Sequence, residues 1–211
     1  MFLDVDNTVI DRTGAFRAWG EEFLASIGAP DPDLEWLMSV DGDGLTDRWD
    51  VADAIRDRYR LTLPAIDLVD AMREGVVANS RLDPLVACAL RIADDAGWVP
   101  VLVTNGATRD EDTTIRRTGL DRYVADWVIS EEVGVSKPNP RIFALAAERV
   151  HMRLQGAWVV GDCPETDIGA AAEMGLPSVW LHRGRRWMES RFQPTRVAAG
   201  LIPAVATVLA S

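Results

Sequence analysis

Short apolar runs at residues 2–5, 99–103, 127–129, 157–160 and 178–181 have the length expected of strands buried in a parallel sheet. Helical repeats lie between the later runs. Leu85, Ala89, Ile92 and Ala96 recur at helical spacing, as do Phe143, Ala147 and Val150, and the alanine-rich stretch 167–174 stops at Gly175 and Pro177. Strands alternating with helices of this length predict an α/β fold, a doubly wound, Rossmann-like parallel sheet with right-handed crossovers. From Gly14 to Leu82 the rhythm changes. Helical patterns at 15–26, 34–40, 46–60 and 64–77 follow one another with no strand among them, separated by turns at 28–32 and 41–44. The pattern predicts a core built from residues 1–13 and 83–211, interrupted by an all-helical insertion at 14–82.

Three of the strand-like runs end in polar residues of one kind. The first leads into Asp4-Val5-Asp6-Asn7-Thr8, the second into Thr104-Asn105-Gly106, and the fourth into Gly161-Asp162, with Asp167 five residues on. Ligands of open α/β sheets bind beyond the carboxyl ends of the strands, so these residues are expected to meet in one crevice. Like charges repel strongly in a partly desolvated pocket, and four carboxylates gathered there call for a compensating cation. An all-oxygen donor set points to Mg²⁺. Asp41-Gly42-Asp43 looks like the opening of a calcium loop, but Thr46 and Ala52 stand where such a loop needs glycine and glutamate; a turn is expected there.

Composition sharpens this picture in two places. Against 21 arginines the chain has one lysine, Lys137, in Ser-Lys-Pro-Asn-Pro, where a compact point charge serves a small anion as a planar fork does not. The formal net charge of -11 opposes polymeric nucleic acid and anionic membranes, so any anionic ligand must be drawn in by local positive charge. The first residues lack a secretory pattern and no apolar run is long enough to span a bilayer, from which a cytoplasmic location is expected. Cys88 reads as helix core and Cys163 as a bystander in the loop after the fourth strand. Only three residues precede Asp4, and the short first strand is expected to reflect a trimmed edge or a start codon assigned late, costing stability rather than chemistry.

Taken in order, Asp4-Val5-Asp6-Asn7-Thr8, Thr104-Asn105-Gly106, Lys137-Pro138 and Gly161-Asp162 with Asp167 resemble the four signatures of the haloacid dehalogenase-like hydrolase superfamily. The helical insertion lies between the first two signatures, where the C1-cap branch carries its cap. Asn7 replaces a frequent glycine, and its tolerance of left-handed backbone angles should preserve the turn. The resemblance implies a phosphomonoester hydrolase. Asp4 would be the nucleophile forming an aspartyl phosphate, and Asp6 the acid and base serving the leaving group and the attacking water. Asp4, the Asp6 carbonyl and Asp162 would hold Mg²⁺, with Asp167 beside the metal or on one of its waters. Thr104 and the Asn105 amide would bind phosphoryl oxygens, and Lys137 would offset their charge.

Asp6 argues against the dehalogenase branch, which needs no acid at that position, and an insertion without lysine argues against phosphonate cleavage. A phosphosugar mutase keeps both aspartates and stays open, as does a non-catalytic binding protein. The stretches 104–120 and 129–140 are similar to the branch of pyrimidine 5′-nucleotidases and small-phosphate hydrolases, so the implied substrate is a small phosphorylated metabolite, a nucleoside monophosphate or a phosphosugar. Trp19, Arg48 and Trp49 are candidates for contacting it, and equally for cap core and surface. Arg109 reads as a first-turn surface residue. The basic cluster of Arg183, Arg185, Arg186 and Arg191 with Trp187 either borders the crevice or is a solvated loop or contact surface, and His151 and His182 carry no catalytic role.

Overall fold

The computed structural model describes residues 1–30 and 33–211, which form two units, Met1–Ile10 with Leu82–Ser211, and Asp11–Arg81. The second unit is helical. Helices α1 (Arg12–Ser26), α2 (Asp33–Asp41), α3 (Arg48–Tyr59) and α4 (Ala65–Asn79) fall close to the four sequence patterns, while the turn expected at 28–32 lies partly outside the described residues. Helix α1 begins earlier than its apolar pattern because the Asp11 carboxylate accepts from Gly14 N–H (3.0 Å). Asp47 caps α3 in the same way. Each helix buries residues at helical spacing: Phe16, Trp19 and Leu24 from α1, Leu37 from α2, Val51 and Ile55 from α3, and Leu68, Met72 and Val76 from α4. Between α2 and α3, Asp41 turns inward to a buried ion pair with Arg12 and also accepts from Gly44 N–H (2.9 Å), and Asp43 accepts from Thr13. These carboxylates serve the turn, as the loop's departure from a calcium-binding pattern suggested.

Trp19 stacks on Phe23 (centroids 5.1 Å apart) and lies over Gly75, where a Cβ would sit 2.0 Å from Trp19 Cδ1. The glycine is therefore a packing requirement between α1 and α4. It also makes Trp19, among the three sequence candidates for substrate contact, a core residue, whereas Trp49 at the start of α3 is 47% exposed.

The first unit is a six-stranded sheet, all parallel, ordered β3-β2-β1-β4-β5-β6, with β1 (Phe2–Leu3), β2 (Val101–Thr104), β3 (Asp126–Ile129), β4 (Val159–Gly161), β5 (Ser178–Leu181) and β6 (Arg196–Ala198). Five strands coincide with the apolar runs. The short β1 is central in the sheet, paired with β2 on one side and β4 on the other, and Leu3 is fully buried. Strand β6 escapes sequence reading because three residues with one large apolar side chain carry no periodicity. It pairs only with β5, at the edge.

Helices α5 (Pro84–Asp95), α6 (Thr108–Thr118), α7 (Ser130–Val133), α8 (Arg141–Arg149), α9 (Ala170–Glu173) and α10 (Leu201–Leu209) complete the unit. In α8 the expected face is buried, with Phe143 and Ala147 inward. In α5 the expected stripe is displaced. Leu85 and Ile92 are exposed and Cys88 is exposed rather than core, while Ala89, Leu90 and Ala93 are buried and Val86 packs beside them. Apolar residues on two adjoining faces leave the phase undetermined by spacing, and the alanine-lined face is the one buried. Helix α10 tolerates Pro203 because first-turn N–H groups lack helical partners.

Among the described residues, no helix is long and apolar enough to cross a membrane. Gly75→Ala should lower stability by about 1–2 kcal/mol, because the clash with the buried indole outweighs the helix propensity gained. The urea midpoint of the variant reads this directly.

Candidate active site

The strand order reverses at β1 and β4, which are neighbours in the sheet although far apart in sequence, and both end in aspartate. Asp4 N–H donates to Val160 O (3.0 Å), which sets Asp4 beside Gly161 and Asp162. Beyond it the chain turns sharply. Asn7 adopts φ 60°, as its identity predicted, its N–H donates to Ile10 O (2.7 Å), and half-buried Asp6 is bridged to Ile10.

Lys137 arrives from the loop before α8. Its backbone is held reciprocally by one side chain: Lys137 N–H donates to Asn105 Oδ1 (2.8 Å) and Asn105 Nδ2 donates to Lys137 O (2.9 Å). The ammonium, 3% exposed, donates to Asp4 Oδ1 (2.6 Å) and Asp167 Oδ1 (2.7 Å). Asp167 reaches back because residues Pro164–Gly169 form a wide π-helical turn, and its second oxygen accepts from Cys163 N–H (3.1 Å). Gly161 makes room for it: a Cβ there would lie 2.2 Å from Asp167 Oδ2.

Asp4, Asp162 and Asp167 each offer a ligand oxygen, and these three atoms lie within 4.8 Å of one another. Hard oxygen donors at this separation suit Mg²⁺, so the residues fit the metal that the sequence called for. Charge balance among these three acids does not by itself require it. Asp162 Oδ2 accepts from Arg185 Nη2 (2.9 Å) and from Arg183 Nη1 (3.3 Å), so Lys137, Arg183 and Arg185 set three positive charges against these three carboxylates. Sequence reasoning left the two arginines between crevice and solvated loop, and the structure puts them at the crevice. Their signal was position, directly after β5 and on the same sheet edge. Of the same cluster, Arg186 is exposed and Arg191 pairs with Glu189 and Glu165 at the surface.

Thr104 is buried at the end of β2, where its hydroxyl donates to Glu111 Oε2 (3.0 Å). The Asn105 side chain is engaged with Lys137, which leaves its backbone amide as the group to meet a phosphoryl oxygen as expected, and Thr104 would have to turn from Glu111 to donate. Glu111, unremarked in the sequence, is thus a partner of the second strand end. Arg109 is exposed in the first turn of α6, as expected, while His182 accepts from Gly184 N–H through Nδ1 (2.9 Å).

The electrostatics follow from one cation facing two acids. Burial alone would lower the Lys137 pKa, but Asp167 and Asp4 more than reverse this and hold it above the ordinary lysine value. Lysine stays charged, and the cost of burying neighbouring acids falls on Asp167. Burial, with Asp4 and Asp162 nearby, raises its pKa to about 7 against the pull of Lys137. A folded-state pKa above the unfolded one gives stability that is fully present below the unfolded carboxylate range and is lost as pH rises through about 7. In chelator-containing buffer, stability should therefore fall between pH 5 and 8 more steeply for the native protein than for Asp167→Asn, as measured by urea unfolding.

Residues 1–175 match the family of haloacid dehalogenase-like hydrolases. The chain is 37% identical over 101 residues to pyrimidine 5′-nucleotidase YjjG of Escherichia coli (strain K12), a stretch covering 47% of this chain and 45% of that protein. It is 39% identical over 83 residues to glyceraldehyde 3-phosphate phosphatase of Methanopyrus kandleri, covering 39% and 36%. These matches span less than half the length of either curated relative. Among solved structures, the HAD-hydrolase YfnB from Bacillus subtilis, bound to magnesium, superposes with a TM-score of 0.80 over 98% of this chain and 96% of that one, at 19% identity, a likeness of fold.

Proposed function

We propose that this chain, which belongs to the haloacid dehalogenase-like hydrolase family, is a Mg²⁺-dependent phosphatase of small phosphorylated metabolites. The observation that carries the reading is the Lys137 ammonium set between Asp4 and Asp167, with Asp162 within ligand distance of both acids. Two curated relatives named as phosphate-releasing enzymes support it, as does a magnesium-bound structure of the same fold.

In this reading Asp4 attacks phosphorus and carries the phosphoryl group as an acyl phosphate, while the leaving oxygen departs with a proton from Asp6. Asp6 then takes a proton from the water that hydrolyses the acyl phosphate. Lys137 holds the Asp4 carboxylate in place and offsets the charge of the phosphoryl oxygens. Those oxygens are received by Thr104, once turned from Glu111, and by the Asn105 amide. Asp4, the Asp6 carbonyl and Asp162 would hold Mg²⁺, with Asp167 supporting them. When bound, the metal supplies Lewis-acid neutralisation of the phosphoryl charge.

In this reading selection among substrates rests with the helical unit, where exposed Trp49 offers an indole face for a nucleoside base. Asp4→Asn should lower phosphate release from an aryl phosphate roughly a thousandfold or more, and a chelator should abolish it in the native protein. Equal rates for native protein and variant would instead identify a non-catalytic binding module. Across a panel of phosphorylated metabolites, Trp49→Ala should reduce the preference for nucleotides over sugar phosphates by about tenfold. Trp19→Ala, a core truncation, should cost about 3–5 kcal/mol of stability instead.

A further inference from the structure

Outside the roles just given, one pair of charged groups at the crevice has no part in the chemistry. Arg183 and Arg185 leave the end of β5 through a turn in which Arg183 (φ 46°) and Gly184 (φ 81°) are both left-handed. For arginine this conformation is uncommon and is stabilised here by the surrounding bonds: Arg185 N–H donates to His182 O (2.7 Å), and Gly184 N–H to His182 Nδ1. The turn delivers both guanidinium groups to a single oxygen, Asp162 Oδ2. Arg185 is anchored further by the Asp162 carbonyl (2.7 Å) and lies 5.9 Å from the centre of the Trp180 ring, whose Nε1 donates to that same carbonyl (2.8 Å).

We propose that Arg183 and Arg185 are an internal counter-cation for Asp162 that competes with the divalent ion, so that metal binding draws the carboxylate away from the guanidinium groups and the two arginines set the metal affinity of the site. The inference rests on the Mg²⁺-dependent reading of the same cluster. Two opposite effects of the arginines have to be weighed. They order the Asp162 side chain, which favours ligation, and they place two positive charges beside the position of a doubly charged ion, which opposes it. Ordering one short aspartate is a small entropy term, whereas like charges in a partly desolvated pocket interact strongly. Repulsion therefore decides the sign. Arg185 can release Oδ2 without leaving its place, because its bond to the Asp162 carbonyl remains.

Calorimetric titration of the metal-free protein with MgCl₂ tests this. The double variant Arg183→Gln/Arg185→Gln should bind Mg²⁺ about tenfold more tightly than the native protein, and Arg185→Lys should fall between them. Trp180 and Trp187, with ring centroids 4.9 Å apart beside the turn, should report a metal-induced fluorescence change that the double variant lacks. Unchanged or weaker binding by a double variant with native circular dichroism overturns the proposal. Should that variant not fold, Arg183→Gln alone decides, with tighter binding supporting the competition and equal or weaker binding overturning it. A native protein that binds no Mg²⁺ overturns the metal reading itself, an outcome distinct from a native protein that binds Mg²⁺ with no dependence on the arginines.

Discussion

The Lys137 ammonium, set between the carboxylates of Asp4 and Asp167, is the contact on which the rest of the site depends. Three carboxylates within a few ångströms repel one another by an amount on the order of 4 kcal/mol per pair at an effective dielectric near 20, more than burial alone could sustain. A small three-donor head reaches two acids that arrive from different segments, one following β1 and one on the turn after β4. A guanidinium, planar and wider, would favour one carboxylate in a bidentate pair and leave the second unmatched. That geometric demand gives a physical reason for a single lysine among 21 arginines. Asn105 completes the arrangement by gripping the Lys137 backbone from the end of β2, so three strand ends and one loop are fixed by a handful of bonds.

Much of this was legible because the signal is one of position. An apolar run ending in a carboxylate marks both a strand and the edge where ligands gather, and Asp4 and Asp162 were readable on that basis, while Lys137 stood out as the one lysine of the chain. Burial phase was not, since in α5 Leu85 and Ile92 compete with Ala89, Leu90 and Ala93 for the inward face and only packing decides. Nor was the role of Asn105: its identity was visible as a strand-end polar residue, but the reciprocal bond to Lys137 depends on two segments 32 residues apart meeting in space. Arg183 and Arg185 were hidden by abundance. In a chain so rich in arginine no single guanidinium stands out, and a loop of several reads as solvated surface.

Those arginines change how the acid cluster is understood. From sequence, four carboxylates in one crevice imply a metal because nothing else in the motifs neutralises them. In the folded chain, Arg183 and Arg185 face Asp162 while Lys137 faces Asp4 and Asp167, so the acids already have partners before any ion arrives. The case for Mg²⁺ then rests on donor chemistry and spacing rather than on unbalanced charge. Each of these three acids has a cationic partner within the chain, so none of them is buried without one.

The backbone between Asp162 and Asp167 shows how closely the fold serves this arrangement. An ordinary helical turn after β4 would advance the chain with tighter spacing, whereas Asp167 N–H and Ile168 N–H both donate to Cys163 O and the turn from Pro164 to Gly169 is widened. The widening carries the Asp167 side chain back over Gly161, into space that any Cβ at that position would occupy. Glycine before the aspartate of the fourth strand end is thus a steric condition for the second acid to reach Lys137. The wide turn and the missing side chain act together: with either one altered, Asp167 and Lys137 would not meet at hydrogen-bonding distance, and Asp4 would be left as the ammonium's sole partner of the two.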